Sequence, residues 1–251
     1  MKPPGGTPPP AETVLDVIDI HKAFGARPVL TGLTLSVASG EAVGLFGRDG
    51  AGKTVAFHCV LGLLRCDSGR VVLHGKDVSR LPFYRRALLG LGYLPEQPSI
   101  YRGLSVADNI LASLEIVEPD GEARSQRLEE LLSDLGIAHL RDRRATSLSG
   151  GERRRCEVAR ALALDPSVLL LDEPLKGIDP LAVASIGELI VQVRQRGVAI
   201  LITDQNVRET MAVIDRCYLL DEGRIAFAGS PEEMLHDERA LARYLGQASG
   251  P

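Results

Sequence analysis

Gly47-Arg48-Asp49-Gly50-Ala51-Gly52-Lys53-Thr54 has the spacing G-x-x-x-x-G-K-[ST] and directly follows the apolar run AVGLF. Glycines so placed let the chain turn tightly enough for successive backbone N–H groups to face phosphate oxygens, and a helix starting there adds the positive end of its dipole. The closing lysine can reach the β- and γ-phosphates, and the threonine hydroxyl after it can ligate Mg²⁺. The ligands this predicts are a nucleoside triphosphate and Mg²⁺.

Two further constellations fit phosphate chemistry. Asp172 and Glu173 stand at the end of the apolar run VLLL and before Pro174. In phosphoryl transfer a carboxylate on a strand end positions the metal, and a second carboxylate orients or activates the attacking water. Two carboxylates leaving a buried strand also call for a nearby cation. Leu148-Ser149-Gly150-Gly151-Glu152 precedes the helix-compatible stretch RRRCEVARALAL. Ser149 can cap that helix, and the glycines expose backbone donors to a second anion.

The elements that must position these groups are legible from periodicity. Val14 to Ile20 reads as a strand, and TLSVASGEAVGLFG as two strands broken at Ser39-Gly40. Leu128, Leu131, Leu132 and Leu135 fall at helical spacing between Gly121 and Gly136. SVLLLDEP and VAILITD are almost wholly apolar and flank a helical stretch from Leu181 to Arg196. Such runs, alternating with helices, predict parallel strands covered on both faces. The opening MKPPGGTPPPAE holds five prolines and reads as a disordered tail over 1–12. The expected fold is α/β: a three-layer core with a helical insertion.

Composition narrows the classes. The chain has 251 residues, 45% hydrophobic and 25% charged, with a net charge of −4. This is globular composition, and it lacks the basic excess of a dedicated nucleic-acid binder. The four cysteines are scattered with no CxxC pair, which favours a reducing compartment over a disulfide framework or zinc site. No apolar window is long enough to span a bilayer, and no signal-peptide core is expected near the start.

Taken in order, GRDGAGKT, LSGGERRR, LLLDEP, the Gly177-Ile178-Asp179-Pro180 loop and LITD resemble the nucleotide-binding subunit of an ATP-binding cassette (ABC) transporter over about residues 13 to 246. The resemblance implies a P-loop NTPase core over about 13–95 and 165–246, an antiparallel β edge, and a helical signature subdomain over about 96–164. It implies an ATP hydrolase coupled to transport, with a composite site in which the LSGGE turn of one subunit closes over ATP held by the Lys53 loop of another. The nucleotide would be held by Gly47, Arg48, Asp49, Gly50, Ala51, Gly52, Lys53 and Thr54, and across the seam by Ser149, Gly150 and Gly151, with Asp179 at that seam. Thr54 and Asp172 would hold the metal, and Glu173 would act on the water. Phe24, in KAFGARPV, would stack on adenine or belong to the core. Residues 96 to 108 would form a lever under the membrane partner, with Tyr101 and Arg102 as contacts, or a solvated loop.

Within the family, YLPEQPSIYRGLSVADNI, SLSGGERRR, LITDQNVRET and RYLG are similar to the lipopolysaccharide-export ATPases, and branched-chain amino-acid importer ATPases look similar too. The implied partners are transmembrane permease subunits and a second copy, or a second cassette in a heterodimer. No nucleic acid is implied, because cassette proteins acting on ribosomes or DNA generally carry two cassettes or long arms. The implied location is the cytoplasmic face of the inner membrane, with membrane contact only through the permease.

The chain departs from the pattern at three places. Gln205 stands where a histidine is usual after LITD, and an amide cannot carry the proton or charge of that switch residue. After Leu94-Pro95 the usual glutamine is displaced, leaving Glu96 or Gln97 to reach the metal. Asp49 stands where asparagine is common. Extra negative charge and a donor that cannot be charged predict slowed but real hydrolysis, or a degenerate regulatory subunit whose partner hydrolyses.

Overall fold

A computed structural model of the chain describes residues 12–176, 180–204 and 207–240. The tail over 1–11, Gly177, Ile178 and Asp179, Gln205 and Asn206, and the RYLG stretch all lie outside the described residues.

Two sheets organise the molecule. The first runs in the order β10-β9-β3-β8-β7-β6, from β3 (Ala42–Phe46), β6 (Leu91–Leu94), β7 (Val168–Asp172), β8 (Ala199–Thr203), β9 (Arg216–Asp221) and β10 (Arg224–Gly229). All its neighbours are parallel except β9 and β10, an antiparallel pair at the edge. The second sheet, β2-β1-β4-β5, is wholly antiparallel. It comprises β1 (Thr13–Phe24), β2 (Arg27–Ala38), β4 (Ser68–Leu73) and β5 (Lys76–Asp77). The antiparallel strands thus do more than edge the parallel sheet: most of them form a sheet of their own.

The unbroken apolar runs have a simple cause. Leu169, Leu171, Ile200 and Ile202 face one hydrophobic cluster, while Val168, Leu170, Ala199 and Leu201 face the other. Both faces of the parallel sheet are covered, so alternation disappears from its strands. One cover is the antiparallel sheet with α1 (Lys53–Leu61). The other is helical and includes α6 (Pro180–Gln195).

Between β6 and β7 lie α3 (Val106–Val117), α4 (Gly121–Asp134), two short 3-10 turns, and α5 (Gly150–Leu162). Leu128, Leu131, Leu132 and Leu135 are buried in one stripe, as their spacing predicts. Short helices α2 (Phe83–Ala87), α7 (Val207–Met211) and α8 (Pro231–His236) complete the elements used below. No described helix is long and apolar enough to cross a membrane.

Candidate functional site

The glycine loop joins β3 to α1. A Cβ on Gly47 would lie 2.5 Å from the Leu220 carbonyl oxygen, so a side chain there would drive the loop off the neighbouring strand. Gly52 caps α1 with φ +109°, in the left-handed region that glycine adopts without strain. Lys53 is nearly buried and folded back on its own loop, donating from Nζ to the Gly47 carbonyl at 2.6 Å and to the Arg48 carbonyl at 3.2 Å. Burial pushes its pKa down, and the charges of Asp49, Glu173 and Asp172 push it back up. Those three carboxylates therefore share the electrostatic space of the lysine. Thr54 is exposed on the first turn of α1.

The far end of α1 is anchored by a residue that sequence reasoning passed over. Arg86 is almost wholly buried and donates from Nη1 to the Cys59 and Val60 carbonyls, from Nε to the Leu81 carbonyl and from Nη2 to the Ser79 carbonyl. A cation on the last carbonyls of a helix matches the negative end of its dipole. Nothing in its sequence neighbourhood marks it, because its partners are backbone carbonyls, two of them on α1 more than twenty residues away.

Register places the two acidic residues. Asp172 pairs across β7 and β8 with Thr203, whose hydroxyl donates to Asp172 Oδ1 at 2.5 Å. Tyr93 Oη on β6 lies 3.5 Å from Asp172 Oδ2. Asp172 is 4% exposed, and burial pushes its carboxyl pKa up against the Thr203 bond, with Glu173 and Glu96 adding to the rise. The Tyr93 phenol is pushed up to about 12, first by burial and then by Asp172. The acidic pair is therefore no solvated turn.

Glu173 holds a left-handed φ of +45°, strain of a kind that persists where surrounding structure fixes it. Its N–H donates to the Thr203 carbonyl at 2.8 Å. Its side chain, 10% exposed, accepts an ion pair from Lys176 Nζ at 2.8 Å. The same ammonium lies 2.7 Å from Glu96 Oε1. Gln97 is exposed beside Glu96.

The Ser149 turn caps α5 as its residue types predict. The Ser149 hydroxyl accepts from the Glu152 N–H at 3.3 Å, and the Glu152 carboxylate accepts from the Ser149 N–H at 2.8 Å. Gly150 is exposed and Gly151 partly so. Two more turns down, α5 grips the segment after β6. Glu157 Oε1 accepts from the Ser99 and Ile100 N–H groups at 2.6 and 3.1 Å, and Arg154 Nη1 donates to the Pro95 carbonyl at 2.9 Å. Arg160 donates to the Ser99 carbonyl and hydroxyl and sits 4.7 Å from the Tyr101 ring centroid. Arg154 and Glu157 form a buried ion pair at 3.3 Å. The segment from Pro95 to Tyr101 is thus bound to the same helix that the Ser149 turn begins, while Tyr101 and Arg102 themselves are exposed. Only the i,i+3 spacing of Arg154 and Glu157 hinted at this.

Phe24 ends β1 and is 52% exposed, with Lys22 Nζ 5.6 Å from its ring centroid. It is not part of the core. Asp179 and Gln205 lie outside the described residues.

Open parallel sheets bind ligands outside the carboxyl ends of their strands. Here that edge carries the glycine loop after β3 and the Asp172–Glu173 pair after β7, with Thr203 of β8 between them. Strand, glycine loop, helix and acidic strand end define an α/β nucleotide-hydrolysing protein of the P-loop class. The family model described as ABC transporter matches residues 30–176, more than half of the chain, and the chain belongs to that family; it is an ATP-binding, ATP-hydrolysing transport subunit.

Its relatives sharpen this. It is 47% identical over 233 residues to the lipopolysaccharide export system ATP-binding protein LptB of Acidithiobacillus ferridurans, covering 93% of this chain and 97% of that protein. The LptB of Escherichia coli is 46% identical over 230 residues, 91% of this chain and 95% of its own length. A probable ABC transporter ATP-binding protein of Azorhizobium caulinodans is 48% identical over 240 residues, 96% of this chain and 85% of its own. Among solved structures, the ADP conformation of an ATP-binding cassette of an ABC transporter superposes with a TM-score of 0.85 at 25% identity, covering 94% of this chain and all of that one.

Proposed function

We propose that the chain powers lipopolysaccharide or lipid export from the inner membrane, bound to the cytoplasmic face of a pair of permease subunits and working as a dimer of two cassettes. The observation that carries the hydrolytic part is the sheet order, which brings the Lys53 loop after β3 and the Asp172–Glu173 pair at the end of β7 to one edge with only β8 between them. The transported class rests on the identity to LptB proteins across more than nine tenths of the chain.

In this reading the residues Gly47 to Thr54 hold the phosphates of ATP. Lys53 leaves its two loop carbonyls for the β/γ-phosphates, a move that exchanges neutral acceptors for charged ones. The Ser149, Gly150 and Gly151 turn of the second copy closes on the γ-phosphate, with the two Asp179 loops at the seam. Half-exposed Phe24 is available to stack on adenine.

Mg²⁺ fits the donor set. Asp172 is a buried carboxylate whose charge is raised in energy by Glu173 and Glu96, and Thr54 offers an open hydroxyl, with Glu96 or Gln97 as a further oxygen ligand. Phosphate oxygens of the bound nucleotide would supply the remaining ligands. When bound, the ion neutralises charge developing between the β- and γ-phosphates.

Glu173 accepts the proton of the attacking water or orients it. Gln205 at the switch position, Glu96 and Asp49 support slowed turnover, since each removes a charged donor or adds a negative charge at a site whose transition state is anionic. The test is direct. Wild-type chain should release phosphate from ATP measurably faster than Glu173→Gln, and detergent extraction of the tagged protein should bring down permease subunits with bound lipid A-type lipid. Equal turnover in the two chains removes the hydrolytic role, and recovery of amino-acid importer subunits removes the lipid reading.

A further inference from the structure

Lys176 is absorbed by none of the motifs above. It lies three residues beyond Glu173, with its side chain 45% exposed, and its ammonium makes two short ion pairs to different parts of the chain: Glu173 Oε2 at 2.8 Å and Glu96 Oε1 at 2.7 Å. Glu96 follows Pro95, whose carbonyl accepts from Arg154, and stands three residues before Ser99, which Glu157 and Arg160 hold. The loop after β6 is therefore bound on one side to α5 and on the other, through a single cation, to the carboxylate after β7. Both carboxylates contribute to raising the pKa of the lysine, Glu173 ahead of Glu96.

We propose that Lys176 is a positioning residue for Glu173, tethering it to Glu96 so that the orientation of the hydrolytic carboxylate follows the loop over residues 95–101. Three features of the geometry favour this over a chance surface pair. Exposed pairs contribute little because water competes for both partners, but the Glu173 side chain is only 10% exposed, so little water competes with the ammonium for its carboxylate. The two carboxylates come from loops at the ends of neighbouring strands, β6 and β7, and without the cation they would repel at short range. Finally, the loop that bears Glu96 is tied to the helix beginning at Ser149, so a displacement of that helix relative to the parallel sheet must stretch or rotate the Lys176 bridge. One ammonium then converts movement of the loop into movement of Glu173.

The proposal rests on Glu173 being the hydrolytic carboxylate, and its test separates the two claims. The first arm is hydrogen exchange of the nucleotide-free full-length chain. In Lys176→Gln the peptide over residues 94–102 should exchange several-fold faster than in wild type, although it lies more than seventy residues from the substitution, and Lys176→Arg should restore protection. Unchanged exchange overturns the tether whatever the hydrolytic rate. The second arm is kinetic. Lys176→Gln should lower kcat about tenfold while binding of a fluorescent Mg-ATP analogue stays within about twofold. Glu96→Gln combined with Lys176→Gln should be no slower than the slower single variant, as expected when both changes cut one link. Additive losses, or a loss of nucleotide affinity matching the loss of kcat, would overturn it in favour of two independent contacts or a direct phosphate contact. A Glu173→Gln chain as active as wild type would instead remove the underlying role, leaving the exchange result to stand alone.

Discussion

The loop that would grip phosphate and the loop that would feel the membrane partner are held by opposite means. Residues 47–54 are shaped by backbone: glycines at Gly47 and Gly52, a helix start, and a lysine satisfied by two carbonyls of its own loop. Residues 95–101 contain no glycine and are held by side chains of α5, chiefly Glu157, Arg154 and Arg160. A backbone-built loop is rigid before its ligand arrives, which suits a site that must present several donors at once. A loop hung on side chains of one helix moves with that helix, which suits a transmitter.

The largest expected effects lie on the phosphate side. Glu173→Gln should lower turnover by ~10²–10⁴, the usual worth of a general base, with Mg-ATP binding retained, and Lys53→Ala should abolish that binding in an equilibrium titration. The corresponding cut on the lever side is Glu157→Ala, which strands the Arg154 guanidinium, already carrying Nε and Nη2 without partners among the described residues, and removes the acceptor of two loop N–H groups. Removing one member of a buried pair costs ~3–5 kcal/mol, read as a lowered urea midpoint. The contrast predicts that the surviving folded protein still binds Mg-ATP. If Glu157→Ala instead destroyed nucleotide binding while leaving stability intact, the division between the two loops would be wrong.

Legibility in the sequence followed the same division. The glycine loop, the two apolar strands and the Ser149 cap are local patterns, in which residue type and spacing carry the physics, so the α/β fold and the first half of the site could be read directly. Glu157, Arg160 and Lys176 reach partners about 60 to 80 residues away, and Arg86 reaches two α1 carbonyls 26 and 27 residues back, beside nearer contacts. No periodicity encodes such pairings. The four-stranded antiparallel sheet escaped for a related reason: β1 and β2 read as ordinary strands, β5 is only the exposed pair Lys76–Asp77, and only pairing distinguishes a separate sheet from an edge. Phe24 shows the converse, an aromatic whose type allowed either core or surface and whose place at a strand end left it exposed.

Smaller substitutions sharpen the comparison. Gly47→Ala sets a methyl 2.5 Å from the Leu220 carbonyl oxygen and should cost ~1–3 kcal/mol of stability, as overpacking does, with a matching loss of nucleotide affinity because the whole loop shifts. Gly50→Ala meets nothing within 4 Å but has φ +80°, so it should cost only the left-handed penalty of ~1–2 kcal/mol. Equal effects at the two glycines, measured by thermal unfolding, would mean that close approach to β9 does not shape the loop.

The smallest effect concerns the Ser149 turn. Bonds from Ser149 hold the Glu152 carboxyl pKa below its ordinary value, with Arg143 and His139 adding to the depression. A carboxylate whose folded pKa is depressed stabilises the fold fully above its unfolded pKa, and that contribution disappears as pH falls through the folded value. Glu152→Gln keeps a neutral acceptor for the Ser149 N–H and loses only the charge at the helix start, so it should cost ~0.3–1 kcal/mol at neutral pH. The gap between the two chains should hold down to the ordinary glutamate range and close below it. A gap that persisted in acid would assign the loss to packing around Glu152, and the Ser149 turn would then owe its shape to contacts other than its cap.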